Sequence, residues 1–489
     1  LKRIAVFCIP AHGHTNPTLP VVQELVKRGH TVRYYSFAEF AEKIRATGAE
    51  CIPCDAYLPA LTEQEAAGLK AVSTTEMTIQ DLRITMQMDA FLSKEFAEFR
   101  PDVVFSDSVC FWGKLNAWKH HVPLVVSTST FAFNRFSSKY MKQSPKEIAD
   151  VLLGTPKVQK ELKKLRDLGY PCKSILSLVQ SDDKTDSVVY AARSFQPYAE
   201  TFSGHYLFAG PSVFTKTLPD KAKARPLVYI SLGTVINDRP DFYKNCIEAL
   251  RTMPVDVVIS CGANRSEKLP ETLPDNVQVF EHVDQPELLA KTDVFISHCG
   301  MNSVSESLYM AAPLVLYPQS AEQFAVAARA AECGAGIFLK DDSPEGIRNT
   351  VTEILQHPKY AEAAAACSSD FRACPGTAGA ADFIEQAPHT VTEKSIADEL
   401  NRKGIAFRFA YYTFFVLLTI LLCGILKWKA GWIFGAAAGV FSNVILQKAD
   451  QLYYQKTIRR EASGCNRPFS KSAAGIADFV HCDGKSGKT

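Results

Sequence analysis

The chain has 489 residues, 47% of them hydrophobic and 22% charged, with a formal net charge of +2. That length exceeds one ordinary core and favours two domains with additions, and the composition is globular. The near-balanced charge argues against a nucleic-acid binder, because no basic field dominates.

The 14 cysteines are scattered without a repeated spacing, and no cleavable leader pattern opens the sequence. Both features suggest a reducing cytosol and not a disulfide framework. Cys51 and Cys54 make one CxxC, but no second pair at zinc spacing follows, so two ordinary thiols near a strand end are the better reading.

In chain order, Ile4 to Ile9 is a β-branched apolar run that stops at Pro10. Ala11-His12-Gly13-His14-Thr15-Asn16-Pro17 follows as a loop. An amphipathic helix then runs through Leu19, Val22, Leu25 and Val26 to Gly29, and Thr31 to Tyr35 reads as a second strand. This βαβ opening predicts a doubly wound sheet, whose ligands bind at the carboxyl ends of the strands. No GxGxxG occurs, so a nicotinamide dinucleotide is a weak reading. The loop instead sets two histidines at a strand end, where an imidazole suits general-base work on a hydroxyl. A surface or hydrogen-bonding role is the plain alternative.

Glu76 to Phe99 reads as helix, and its Met77, Met86 and Met88 fit core packing or the wall of an apolar pocket. Val103 to Phe105 is a strand ending at Ser106-Asp107-Ser108, where Asp107 can hold an imidazole tautomer or cap the next helix. Pro123 to Ser127 is a further strand, followed by a polar and aromatic loop from Thr128 to Asn134. Charged helix is expected from about Lys139 to Leu168, and Pro211 to Pro226, rich in Pro, Lys and Thr, reads as an interdomain linker.

A fresh strand begins at Leu227 and ends at Ser231-Leu232-Gly233-Thr234, a small-residue turn whose N–H groups can approach a phosphate. After a helix from about Asp241 to Arg251 come strands at Val255 to Ser260 and Val277 to Glu281. The apolar run Asp293 to Ile296 then breaks into His298-Cys299-Gly300-Met301-Asn302-Ser303 and a helix-compatible stretch, Ser305 to Met310. Such a turn leaves unpaired N–H groups at the positive end of a helix dipole, which favours phosphate; an ordinary capped helix is the alternative. His298 can add a donor or a positive charge, Asn302 and Ser303 can reach further oxygens, and Glu306 can take a pair of ribose hydroxyls.

The whole pattern, HCGMNSVSE at 298–306 with Pro313, Pro318-Gln319 and Glu322-Gln323, resembles the nucleotide-sugar signature of the UDP-dependent glycosyltransferases of the GT-B fold, in their macrolide-type branch. HGHTNP at 12–17 is similar to that family's first loop, and SLGT at 231–234 to its second-domain opening. The resemblance implies two facing Rossmann-like, doubly wound α/β domains. Residues 1–210 would bind the acceptor, 211–226 link, and 227–388 bind the nucleotide sugar, with the helix near Ala378 to Gln386 bracing the first domain. It implies His14 as catalytic base with Asp107 as its partner. Ser231, Gly233, Thr234, His298, Gly300, Asn302 and Ser303 would surround the diphosphate, Glu306 the ribose, and Glu322 and Gln323 the sugar hydroxyls, favouring glucose. Val283 and Gln285 fall where the nucleobase is contacted. There the family's form has Pro before Gln, whereas this chain has Asp284 before it and Pro286 after.

The reaction so implied is inverting transfer of a hexose from a UDP-sugar to a hydroxyl of a small lipophilic acceptor. The UDP-sugar is a co-substrate; no further cofactor is expected, and no metal, since the helix dipole and His298 can neutralise the leaving diphosphate. A nucleotide-sugar epimerase of the same fold matches the HGHTNP loop less well.

Beyond residue 388 the sequence departs from that pattern. Ile405 to Leu426 is mostly apolar and long enough to span a bilayer, and Ala430 to Leu446, which contains Asn443, is borderline. Residues 389–461 are therefore expected to be membrane-associated helix. Arg402, Lys403, Lys448, Lys456, Arg459 and Arg460 on the flanks put the catalytic domains in the cytosol. The tail, 462–489, reads as flexible. This extension opens two other readings: a membrane-associated lipid or sterol glycosyltransferase, and a non-catalytic, membrane-tethered nucleotide-sugar-binding protein. An intact His14 and Asp107 speak against the second.

Overall fold

Ile4, Ala5, Val6 and Phe7 are all fully buried, as a strand covered by helices on both faces requires. They belong to β1 (Arg3–Phe7), and their side chains alternate between two cores. Ile4 and Val6 pack with Val21, Val22 and Leu25, while Ala5 and Phe7 enter the opposite core with Met88, Phe96 and Trp112. The computed structural model describes residues 1–57, 73–134, 136–141, 145–172, 178, 184–213, 224–234, 237–262, 269 and 272–391.

β1 is joined by β2 (Thr31–Ser36), β3 (Glu50–Pro53), β4 (Val103–Asp107), β5 (Leu124–Thr128), β6 (Asp186–Val189) and β7 (Tyr206–Phe208). These seven strands form one sheet of order β3-β2-β1-β4-β5-β6-β7, every pair parallel. A second sheet contains β8 (Leu227–Ser231), β9 (Asp256–Ser260), β10 (Val277–Phe280), β11 (Val294–Ser297), β12 (Leu314–Leu316) and β13 (Gly336–Phe338). Its six strands run β10-β9-β8-β11-β12-β13, again all parallel.

In each sheet the strand order reverses at one point, between β1 and β4 and between β8 and β11. Doubly wound sheets bind ligands at the carboxyl end of that switch. The register fixes what lies there. Phe7 is opposite Ser106, so the chain leaving β1 emerges beside Asp107. Ser231 is opposite Ser297, so the turn after β8 emerges beside His298.

Both sheets belong to one compact unit, Leu1–Ala199 with Gly204–Thr390; Glu200–Ser203 with Val391–Thr489 make up a second unit. The helix Gly376–Gln386 returns to the first sheet, where Ala380, Ala381 and Ile384 complete the core around Val21 and Leu25. Arg28 Nη1 fastens it through Asp382 Oδ1 at 2.6 Å and Glu385 Oε1 at 3.1 Å.

Two local expectations change. The stretch from Glu76 to Phe99 is two helices, Thr74–Gln87 and Asp89–Phe99, joined at Met88. Met88 is fully buried, so core packing and not propensity sets the break. The histidine loop contains one helical turn, His12–Thr15, closed by Thr15 N–H on Ala11 O at 2.9 Å. A single turn carries no hydrophobic period, and so nothing announces it. Most of the expected linker, at 214–223, lies outside the described residues. So do the apolar stretches 405–426 and 430–446 and the tail. Among the described residues no helix is long and apolar enough to cross a membrane.

Candidate active site

The ends of β1, β4 and β5 bring three side chains together. His14 Nδ1 lies 2.8 Å from Asp107 Oδ2 and 3.0 Å from Ser129 Oγ. Asp107 is buried at the end of β4, and its other oxygen accepts Val109 N–H at 3.0 Å, so the carboxylate is held from both sides. Burial lowers the His14 pKa, but the charge and hydrogen bond of Asp107, with Glu322 adding to them, raise it above its ordinary value on balance. When Nδ1–H donates to Asp107, Nε2 is left with the lone pair. His12 faces elsewhere: its Nε2 pairs with Glu39 Oε1 at 2.9 Å.

In the second sheet the turn after β11 is tight. Cys299 adopts φ +65°, and its N–H donates to Ser297 Oγ at 3.0 Å. Gly300 then starts the helix Met301–Tyr309 without any side-chain cap. First-turn N–H groups left uncapped in this way form an anion site. His298 stands between two glycines: a Cβ on Gly233 or on Gly300 would fall 2.6 Å from its ring. Gly233 also has φ +75°, so both its space and its backbone require glycine. Its N–H donates to Ser231 Oγ at 3.3 Å, and Thr234 beside it is exposed.

His298 Nδ1 is buried and has no hydrogen-bond partner, and burial pushes the imidazole pKa down to about 4. The ring is therefore neutral at pH 7. It can offer an N–H donor to an anion.

Glu306, one turn into this helix, is gripped by its neighbours. Gln285 Nε2 donates to Glu306 Oε2 at 2.7 Å and to Ser303 Oγ at 3.4 Å, and Tyr229 OH donates to Gln285 Oε1 at 3.1 Å. Burial pushes Glu306 up to about 7, which poises it between acid and carboxylate. Asp284 has a structural reason: its Oδ1 accepts Glu287 N–H at 3.0 Å as the N-cap of the helix Gln285–Lys291. Pro286 occupies the first turn, where its missing N–H would be unpaired anyway. Gln285 thus opens a helix with its amide engaged by Tyr229, Ser303 and Glu306, and half-buried Val283 precedes the cap.

The helix Ala321–Glu332 is capped by Ser320 Oγ, which accepts Gln323 N–H at 3.4 Å, and Gln323 Oε1 accepts Gln319 N–H at 2.8 Å. Glu322 beside it is exposed and reaches His14 electrostatically. Asn302 Nδ2 donates to Gly13 O at 2.8 Å. The cleft therefore gathers His14, Asp107, Asn302 and Glu322, with Gly233, His298 and Gly300 beneath the uncapped helix and Gln285, Ser303 and Glu306 in an adjoining network.

Two participants escape sequence reading. Ser129 carries only the weak signal of a polar loop after a strand. Asp81, on the helix Thr74–Gln87, carries none; burial, and then the charge of Asp107, push its carboxyl up to about 7.

The sequence profile described as UDP-glucoronosyl and UDP-glucosyl transferase matches residues 217–375. The NDP-glycosyltransferase YjiC of Bacillus licheniformis is 32% identical over 395 residues, spanning 78% of this chain and 97% of its own. The demethyllactenocin mycarosyltransferase of Streptomyces fradiae is 30% identical over 401 residues, 79% of this chain and 86% of its own. Among solved structures, the glycotransferase of kitacinnamycin superposes with a TM-score of 0.66 at 26% identity, covering 79% of this chain and 98% of that one. The calicheamicin glycosyltransferase CalG4 superposes with 0.65 at 25% identity, covering 79% and 99%. With its two parallel, doubly wound sheets, the chain belongs to the UDP-glucoronosyl and UDP-glucosyl transferase family, as a macrolide-type GT-B enzyme that moves a sugar from a nucleotide-sugar donor to a small acceptor.

Proposed function

We propose that the protein is an inverting hexosyltransferase that moves glucose from UDP-glucose to a hydroxyl of a small lipophilic acceptor, with His14 as general base. The observation that carries this reading is the 2.8 Å contact of His14 Nδ1 with Asp107 Oδ2, at a strand end facing the uncapped helix beyond His298. The acceptor proton passes to His14 Nε2 as the acceptor oxygen bonds to the anomeric carbon. The bond from that carbon to the β-phosphate oxygen breaks, and UDP departs with the electron pair. Asp107 stabilises the imidazolium, while fixed N–H dipoles take up the charge developing on the diphosphate.

In this reading the first-turn N–H groups of Met301–Tyr309, His298, Gly300, Asn302 and Ser303 face the diphosphate from one strand end, and Ser231, Gly233 and Thr234 from the other. A buried imidazole nitrogen without a partner fits a ligand acceptor. Glu306 takes the ribose, Glu322 and Gln323 the glucose, and Val283 with Gln285 the uracil side. No metal has a part in the mechanism. The stretches 405–426 and 430–446 are assigned, on sequence alone, to holding the enzyme at a membrane, and the domain limits at 210, 227 and 388 stand on the same footing.

The test is to incubate the protein, purified in mild detergent, with UDP-glucose and a mixture of phenolic, macrolide and sterol acceptors, with and without excess EDTA. The expected result by mass spectrometry is a hexose adduct of inverted anomeric configuration, formed equally in EDTA. UDP binding without any adduct would favour the non-catalytic binding protein.

A further inference from the structure

The donor side of the cleft has a support that the mechanism leaves unused. Arg239 stands where the chain leaving β8 enters the helix Pro240–Leu250. Its guanidinium reaches the segment after β12, which lies two strands away with β11 between. Nη2 donates to Tyr317 OH at 2.7 Å and Nη1 to Gln319 Oε1 at 3.3 Å. A planar fork holds two acceptors at a fixed angle, which an ammonium on its flexible stem does not. Tyr317 is a firm post for it. Its ring stacks at 4.2 Å and 8° on buried Phe242, and its hydroxyl donates to Asp342 Oδ2 at 2.8 Å.

The clamp does not end at Gln319. The Gln319 N–H donates to Gln323 Oε1 at 2.8 Å, in the first turn of the helix Ala321–Glu332. A backbone donor on Oε1 decides which way round this amide lies, with its two N–H groups on the opposite arm, at Nε2. The Arg239 side chain is 44% exposed, so solvent screens its charge and the hydrogen bonds carry the effect.

We propose that Arg239 is a positioning residue for the sugar of the donor. It clamps Gln319, Gln319 orients the Gln323 amide, and Gln323 Nε2 donates to a sugar hydroxyl. This rests on the sugar-binding role proposed above for Gln323, and Arg239 acts through that residue and not on the sugar itself. A brace that only stapled the helix Pro240–Leu250 to the sheet would contribute to stability and leave sugar recognition unmoved.

The test is calorimetric titration of the full chain with UDP and with UDP-glucose, without acceptor. The proteins are the parent, Arg239→Met, Arg239→Lys, Gln323→Ala and the double variant of Arg239→Met with Gln323→Ala. The ratio of the two dissociation constants separates the sugar from the nucleotide. Arg239→Met and Gln323→Ala are each expected to move it against UDP-glucose by about threefold to tenfold, with the UDP constant within about twofold of the parent. Arg239→Lys should recover part of the loss. The double variant should match Gln323→Ala, because nothing is then left to position. A shift in Gln323→Ala with none in Arg239→Met, whatever the Tm does, would overturn the proposal and leave the role of Gln323 standing. Additive losses in the double variant would do the same. No shift in Gln323→Ala, or no binding of UDP-glucose by the parent, would overturn that role and the proposal together.

Discussion

Asn302, in the first turn of the helix after β11, donates to the carbonyl of Gly13, one residue before His14, at 2.8 Å. A primary amide has two N–H groups, so the second remains for a phosphate oxygen. In the proposed complex this side chain ties the leaving diphosphate to the turn that carries the base. Asn302→Ala is expected to raise the KM for UDP-glucose and to lower kcat, each by about tenfold. Asn302→Asp should be worse by at least about tenfold again, because a carboxylate would face both a carbonyl and a diphosphate. Steady-state kinetics on the three proteins checks this; a kcat unchanged in Asn302→Ala removes the tie.

The pH profile reports on the dyad. Only neutral His14 accepts a proton, so kcat/KM should rise with pH through the raised pKa of its imidazole. Asp107→Asn removes the charge that raises it. The acid limb should move to lower pH while the plateau falls by about 10²–10⁴-fold. An acid limb that stays in place would assign it to another group.

Glycine substitutions separate packing from open space. Gly233→Ala drives a Cβ to 2.6 Å from the His298 ring at a φ of +75°. It should cost about 1–3 kcal/mol of stability and weaken UDP binding. Gly13→Ala meets nothing within 4 Å and should keep its Tm, as a matched control. Thermal unfolding and UDP titration of the pair decide the point.

Burial of His298 makes an acid-stability prediction. Its folded pKa is depressed from 6.5 to about 4, so the unfolded chain takes up this proton first as pH falls. The stability linked to neutral His298 is complete above about 6.5 and declines toward pH 4. His298→Gln removes the titration, and its Tm should fall less than that of the parent between pH 7 and pH 4.5. An identical fall would mean that the buried ring does not control this range.

Much of the frame is readable in the chain because parallel strands buried on both faces are continuous apolar runs. Ile4 to Phe7 and Leu227 to Ile230 are such runs, and small polar residues mark where each sheet opens its cleft. His14, Asp107 and His298 fall at those ends, which makes them candidates, and the resemblance of HGHTNP and HCGMNSVSE to the glycosyltransferase motifs is what separates them from ordinary loop and cap residues. What stays hidden depends on contacts distant in sequence. The Tyr229–Gln285 bond spans 56 positions, and the Ser129 contact with His14 spans 115. The break at Met88 is set by a core that no local window contains. Asp284 was the reverse case: a departure from the expected nucleobase segment that becomes an ordinary helix cap once Glu287 N–H is seen against it.

The most direct measurement is UDP affinity and glucose transfer on the same preparations of the parent, His14→Ala and Asp107→Asn. The account predicts UDP dissociation constants within about twofold of each other, with transfer lower by at least about 10²-fold in both variants. Transfer by His14→Ala within about threefold of the parent, or a loss that only follows weakened UDP binding, would contradict it.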